Sequence, residues 1–240
     1  GFCLVGSEMC IRDRSNIVIE FCFNNTANGS GHTLVGETTA YNSAVYTGAD
    51  DGTVSMRWGN YVDIPAGAFA NVDSAITISF WCYGDPNKQP QNNYTFEGFN
   101  ASSQRVLNAH LPWGNSQVYW DAGNSNGSYD RINATAPSNS FQGEWNHWAF
   151  TKNTVTGEMK VYLNGSLFHS GTGKVRSMAG VTKFRIGGRP NDLGGRYDGS
   201  INDFRVWDVE LDSTTIQQWM NVDVNATHPF YSNLQAYYTV

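Results

Sequence analysis

The sequence predicts an all-β protein: a two-sheet antiparallel β-sandwich with one short helix near the C-terminus. Three observations carry this. Apolar and polar residues alternate in many short runs, and Gly, Asn, Asp and Pro separate the runs. The chain is 14% aromatic, holds 25 glycines and is only 15% charged, a composition that favours strands and turns over helices. Helical periodicity appears only near the end. At 240 residues, one large sandwich domain is the expectation.

The elements follow in order. Residues 1–14 are mildly apolar, are interrupted by Glu8 and are too short to span a bilayer, and they read as a tail outside the fold. Ile17, Ile19, Phe21 and Phe23 line one face of a first strand, and a polar loop from Asn24 to Gly31 follows. Tyr61–Ile64 is a short strand that stops at Pro65. Ile76, Ile78, Phe80 and Cys82 alternate with Thr77, Ser79, Trp81 and Tyr83, which marks a central strand with one face in the core. That alternation also separates Cys82 from the face that Cys22 shares with Glu20, so no bridge between the two is expected.

Tyr94–Phe99, Arg105–Leu111 and Gln117–Asp121 read as three strands, with Pro112, Trp113 and Gly114 at the corner between the last two. Trp145–Lys152 and Met159–Leu163 come next. Asn164-Gly165 then closes a tight hairpin onto Ser166–His169. Lys183–Ile186 and Ser200–Trp207 flank a Gly-rich loop, and Asp212–Met220 is the helix, with Asp212 or Ser213 as its N-cap. The sandwich is expected to occupy residues 15–222. Residues 223–240 contain a further strand, which either closes this sandwich or opens a following module.

Four segments taken together carry a resemblance: Trp145-Asn-His-Trp-Ala-Phe-Thr, Met159-Lys-Val-Tyr-Leu-Asn-Gly, Ile186-Gly-Gly and Gly199-Ser-Ile-Asn-Asp-Phe-Arg-Val-Trp. Their order and spacing resemble the laminin G-like jelly rolls of the concanavalin A-like lectin and glucanase superfamily. The likeness implies a jelly-roll sandwich and a secreted or cell-surface recognition module, carbohydrate-binding or adhesive, within a longer chain. Trp145, Trp148 and Phe150 then serve the fold as core and sheet-face aromatics, and His147 reads as a buried, hydrogen-bonded imidazole.

The resemblance also implies a structural Ca²⁺. Plain strand alternation puts Asn202 on the inward face with Phe204 and Val206, at a position that is usually Asp in relatives and often ligates the ion. Asn24 and Asn28 of the polar loop could add oxygens. Asn in place of Asp removes the charge that dominates calcium affinity, so a hydrogen bond is the alternative at Asn202.

Sugar recognition needs flat side chains to stack on a pyranose face and polar groups to meet its hydroxyls. His110, Trp113, Tyr119, Trp120, Asp121, Tyr129 and Arg131 mix both kinds around predicted loops and form the candidate ligand site. Tyr119 and Trp120 are adjacent in a strand, so only one of them can face outward.

Other classes are weighed against the residues. A formal charge of −6 offers no basic footprint for nucleic acid, and nothing points to membrane insertion. A retaining glycosidase needs two carboxylates about 5 Å apart. The seven glutamates are scattered, and no Glu-x-Asp-x-x-Glu run exists. Gly-x-Ser-x-Gly is absent, and Gly171-Thr-Gly-Lys174 lacks the spacing and the hydroxyl of a phosphate loop. The expectation is therefore a noncatalytic module that meets a glycan or an extracellular protein. Its rivals are a structural module of a surface or phage-type particle and a glycoside hydrolase.

Overall fold

The computed structural model describes residues 61–191 and 194–238, together with the backbone of five two-residue strands before them. Two of those pairs, Ile11–Arg12 with Val18–Ile19 and Val35–Gly36 with Thr39–Ala40, hydrogen-bond to each other. The expected first-strand face and loop residues Asn24 and Asn28 lie outside the described side chains.

The sandwich strands are β1 (Val54–Ser55), β2 (Val62–Ile64), β3 (Ala75–Gly84), β4 (Phe96–Phe99), β5 (Arg105–His110), β6 (Gln117–Ser125) and β7 (Ser128–Thr135). They continue with β8 (Trp145–Asn153), β9 (Glu158–Leu163), β10 (Ser166–Gly171), β11 (Lys183–Ile186), β12 (Gly199–Trp207) and β13 (Leu234–Tyr238), with helix α1 (Ser213–Trp219) between the last two. One sheet has six strands in the order β7-β6-β5-β4-β11-β2. The other has seven, β10-β9-β8-β3-β12-β13, with β1 also pairing to β12. All these pairings are antiparallel.

The core lies between the sheets. Ile76, Ile78, Phe80 and Cys82 face it from β3, as their alternation requires, and Trp148 and Phe150 join them from β8. The Cys82 thiol is unbridged and lies 2.9 Å from the Tyr197 hydroxyl. Phe96 of the six-stranded sheet meets Phe80 of the other edge-on at 6.0 Å, and Phe80 stacks on Phe204 at 5.3 Å. Each fully buried ring of this kind contributes about 1.5–3 kcal/mol relative to exposure.

A buried ion pair also ties the layers together. The Lys152 ammonium on β8 donates to Asp130 on β7 (2.9 Å), the Ala122 carbonyl on β6 (2.9 Å) and the Arg176 carbonyl (2.7 Å). Asp130 is the residue that hides β7 from sequence patterning. A strand whose inward positions are Asp130 and Ile132 shows no apolar alternation, so the loop expected around Tyr129–Arg131 is a strand, entered by an Asn126-Gly127 turn with φ of +52° and +84°. The Asn164-Gly165 turn is as expected, with φ of +50° and +77°.

The outer face of the seven-stranded sheet is covered. Thr77 anchors the chain leading to α1, donating to the Val209 carbonyl and accepting from the Leu211 amide. Asp212 caps the helix by accepting from the Thr215 amide at 2.7 Å. Ile216 and Leu211 then pack with Trp207, Tyr162, Leu234 and Tyr237 in a second, smaller apolar cluster. β13 pairs with β12, so the C-terminal strand closes this sandwich.

Asn202 does not share the face of Phe204 and Val206. A β-bulge between Asn202 and Arg205, with Asp203 at φ +58°, breaks the alternation. Asn202 instead lies opposite Trp81 and lines an outward pocket of about 230 Å³ with Asp203, Arg205 and Asp223. His147 is buried, but its Nδ1 has no hydrogen-bond partner, contrary to the bonded imidazole expected.

Candidate functional site

The outer face of the six-stranded sheet carries a polar row that crosses every strand. Cross-strand pairing aligns Asp63, Arg185, Glu97, Asn108, Asp121 and Arg131 from β2 to β7. The alternate positions Ile64, Phe184, Phe96, Ala109, Trp120 and Ile132 fill the core, which forces the polar set outward.

Asp121 organises one end of this row. It is fully buried and accepts from Arg131 Nε (2.6 Å), Arg131 Nη2 (2.8 Å), Arg105 Nη1 (2.6 Å) and Asn108 Nδ2 (3.3 Å). Those four donors occupy both oxygens, so Asp121 positions the arginines and has little capacity left for a ligand. Arg105 also donates through Nε to Glu97 Oε1 at 2.6 Å, while Arg189 Nε stands 3.4 Å from the other oxygen. Burial pushes the Glu97 carboxyl above its ordinary range, against the pull of Arg105.

Aromatic rings surround the guanidinium groups. Arg131 lies 4.7 Å from the Tyr119 ring centroid and 5.2 Å from that of Tyr129, which Arg105 also approaches to 5.2 Å. Next to them, His110 meets Trp113 at 4.4 Å, Tyr94 at 5.0 Å and Tyr119 at 5.8 Å. The His110 Nδ1–H donates to the Asn93 carbonyl, which leaves Nε2 as the acceptor nitrogen. Burial, opposed by that hydrogen bond, pushes the imidazole down to about 4, so the ring is neutral at physiological pH.

Of the expected site residues, His110, Trp113, Tyr119, Asp121, Tyr129 and Arg131 therefore meet on one surface. Trp120 does not. It is buried in the core, and its indole N–H donates to the Thr151 carbonyl at 3.0 Å, so Tyr119 is the outward member of that pair. Sequence reasoning missed Arg105, Glu97, Tyr94 and Arg189. Arg105 begins the strand that ends at His110, and the other three sit on other strands or loops that the register brings alongside.

Polar satisfaction singles out the same surface. Ten buried side-chain atoms among the described residues lack a hydrogen-bond partner, and five of them belong to Asn93, Thr95, Glu97 and Asn108 around this row. Buried polar atoms are normally paired, so their concentration sets this row apart from the rest of the described residues.

The pocket at Asn202 is of another kind. Both Asp203 oxygens accept from Arg205, whose guanidinium also donates to the Trp219 and Val222 carbonyls. This arrangement fastens the end of α1 to the sheet. Asp203 is thus taken by a cation of the protein itself; Asn24 and Asn28, the expected partners of Asn202, lie outside the described residues, among which no group of three or more His, Cys, Asp or Glu is arranged to hold a metal.

A laminin G model, described as the concanavalin A-like lectin/glucanases superfamily, matches residues 51–217. The chain belongs to that superfamily. Solved structures agree on the lectin/glucanase fold. The binding domain of botulinum neurotoxin serotype G has a TM-score of 0.57 at 16% identity, covering 87% of this chain and 50% of that one. The serotype D ligand-binding domain in complex with N-acetylneuraminic acid gives 0.56 at 15%, covering 88% and 50%. The binding domain of botulinum neurotoxin DC in complex with SialylT gives 0.52 at 18%, covering 67% and 39%. This lectin/glucanase-superfamily chain spans half or less of the length of these neighbours. No curated protein matches it. Among the described residues no helix is long and apolar enough to cross a membrane.

Proposed function

We propose that this chain is a noncatalytic carbohydrate-recognition module of an extracellular or surface protein, and that its ligand rests on the outer face of the six-stranded sheet. The observation that carries the reading is the joining of Trp113, Tyr94 and Tyr119 to the arginine-rich row through His110. Half-buried rings offer stacking faces, while His110 Nε2 and the guanidinium groups of Arg105 and Arg131 offer hydrogen bonds to hydroxyls. Sugars supply both.

The three carboxylates on this face favour binding over hydrolysis, and Asp63 is held by both Nε and Nη2 of Arg185. Asp121 is saturated by donors and Glu97 is clasped by Arg105, so none of the three is placed as a free nucleophile or base. The SialylT and N-acetylneuraminic acid bound by two neighbours belong to those proteins, and they support glycans as one class that this architecture serves.

A glycan array probed with purified protein, with Ca²⁺ and with chelator, tests the reading. Binding is expected to at least one glycan in both conditions and to disappear in the Trp113→Ala, Arg131→Ala double variant with its melting temperature nearly unchanged. Binding retained by that variant would move the site elsewhere. A blank array alongside capture by an extracellular protein would favour the adhesive alternative.

A further inference from the structure

We propose that the Arg105–Arg131 pair makes this surface selective for glycans that carry a carboxylate. The inference rests on the glycan-binding reading and names the ligand class within it.

The geometry starts from Asp121. Its Oδ2 accepts from Arg105 Nη1 and Arg131 Nη2, which holds the two guanidinium groups next to each other beside the Tyr129 ring, each 5.2 Å from the centroid. Arg131 is fixed further by Nε to Asp121 Oδ1, and Arg105 by Nε to Glu97 Oε1. After these bonds, Arg105 Nη2 and Arg131 Nη1 donate to no protein atom among the described residues, and neither is sealed from solvent. Each guanidinium thus stands preorganised with one free nitrogen, and a carboxylate, with two oxygens and a full charge, is the group that accepts from such donors with charge-assisted hydrogen bonds.

Charge agrees with shape. Around Tyr129 and Tyr94 the face carries Arg105, Arg131 and Arg189 against Asp121 and Glu97, a formal excess of one positive charge in a chain whose total is −6. Burial moves Glu97 toward its neutral form, which increases the excess. A neutral hydroxyl would accept from the arginines without balancing that charge, whereas a sugar acid does both. Independently, Asn108 Oδ1, on a fully buried side chain, lacks a donor in the same row, and Glu97 Oε2 has only Arg189 Nε at 3.4 Å. Trp113 and Tyr94, 6.0 Å apart and edge-to-face, offer the stacking wall next to it.

The carboxylate could come from a uronic acid or from a sialic-type acid, and calorimetry on matched pairs separates the sources. One pair is polygalacturonate and its methyl ester, and the other is sialyllactose and lactose. In at least one pair, the wild-type protein is expected to bind the acid at least tenfold more tightly than its neutral partner. Arg131→Gln is expected to bring the acid down to the neutral level, while Trp113→Ala weakens both forms. Equal or tighter binding of the neutral form in both pairs overturns the proposal and leaves glycan binding standing, as does an equal preference for a sulfated glycan. Failure to bind any saccharide, on the array included, overturns both readings. The wild-type comparison decides the matter even where a variant folds poorly.

Discussion

Asp121 and Arg131 stand directly opposite each other on neighbouring strands and share two hydrogen bonds of 2.6 and 2.8 Å, although the first residue is fully buried and the second is 37% exposed. The buried partner sets the geometry of the exposed one. Asp121→Asn removes the charge that both Arg105 and Arg131 lean on. It is expected to lower stability by about 3 kcal/mol and to weaken glycan binding at least tenfold, measured by urea unfolding and calorimetry on the same preparation. Unchanged affinity would show that the arginines do not depend on it.

Lys152 and Asp130 make a different wager, since their pair lies between the sheets. Burial alone would raise the Asp130 pKa, but the Arg176 amide, the Lys152 ammonium and the Arg176 side chain together hold it below the usual range. Lys152→Met takes the fully buried cation from that carboxylate and leaves it only Arg176, and is expected to cost about 3 kcal/mol. Adding Asp130→Leu is expected to recover at least half of the loss, because an apolar pair of similar volume suits the site. A double-mutant cycle in urea checks the sign of the coupling.

Two tryptophans seven residues apart in sequence separate fold from function. Trp120→Ala empties a core site and is expected to cost about 3–5 kcal/mol. Trp113→Ala, at a half-buried corner, is expected to change the melting temperature by only a few degrees while abolishing retention on a glycan column.

Acid stability follows from the buried imidazoles. Burial, with help from the Arg205 charge, pushes His147 down to about 3. The unfolded chain therefore takes up this proton first, near 6.5, so the contribution to stability is whole above 6.5 and is lost as pH falls from there toward 3. The slope is about 1.4 kcal/mol per pH unit for this one group. His147→Phe keeps a ring against Trp81 and is expected to remove that slope from urea melts between pH 6 and 4. An identical pH profile in the variant would show that His147 titrates normally.

The fold was largely legible in the sequence because most strands show one apolar face: Ile76, Ile78, Phe80 and Cys82 announce a core strand without help. β7 did not, because its inward Asp130 is matched by Lys152 from another sheet, and no local pattern records that pairing. Asn202 was misplaced for a similar reason. A bulge centred on an Asp at positive φ inverts the alternation, and Asp tolerates that conformation without advertising it. The aromatic half of the candidate site was readable as a local cluster around Pro112. Its electrostatic half was read only in Asp121 and Arg131, since Glu97 and Arg105 join them only through the register of β4, β5 and β6.

The central claim is one of location, and hydrogen–deuterium exchange with a bound glycan tests it most directly. Saturating ligand is expected to protect amides in residues 92–97, 108–119 and 129–133. Protection confined to the Trp81, Arg205 and Asp223 pocket on the other sheet, with the six-stranded face unchanged, would contradict the account.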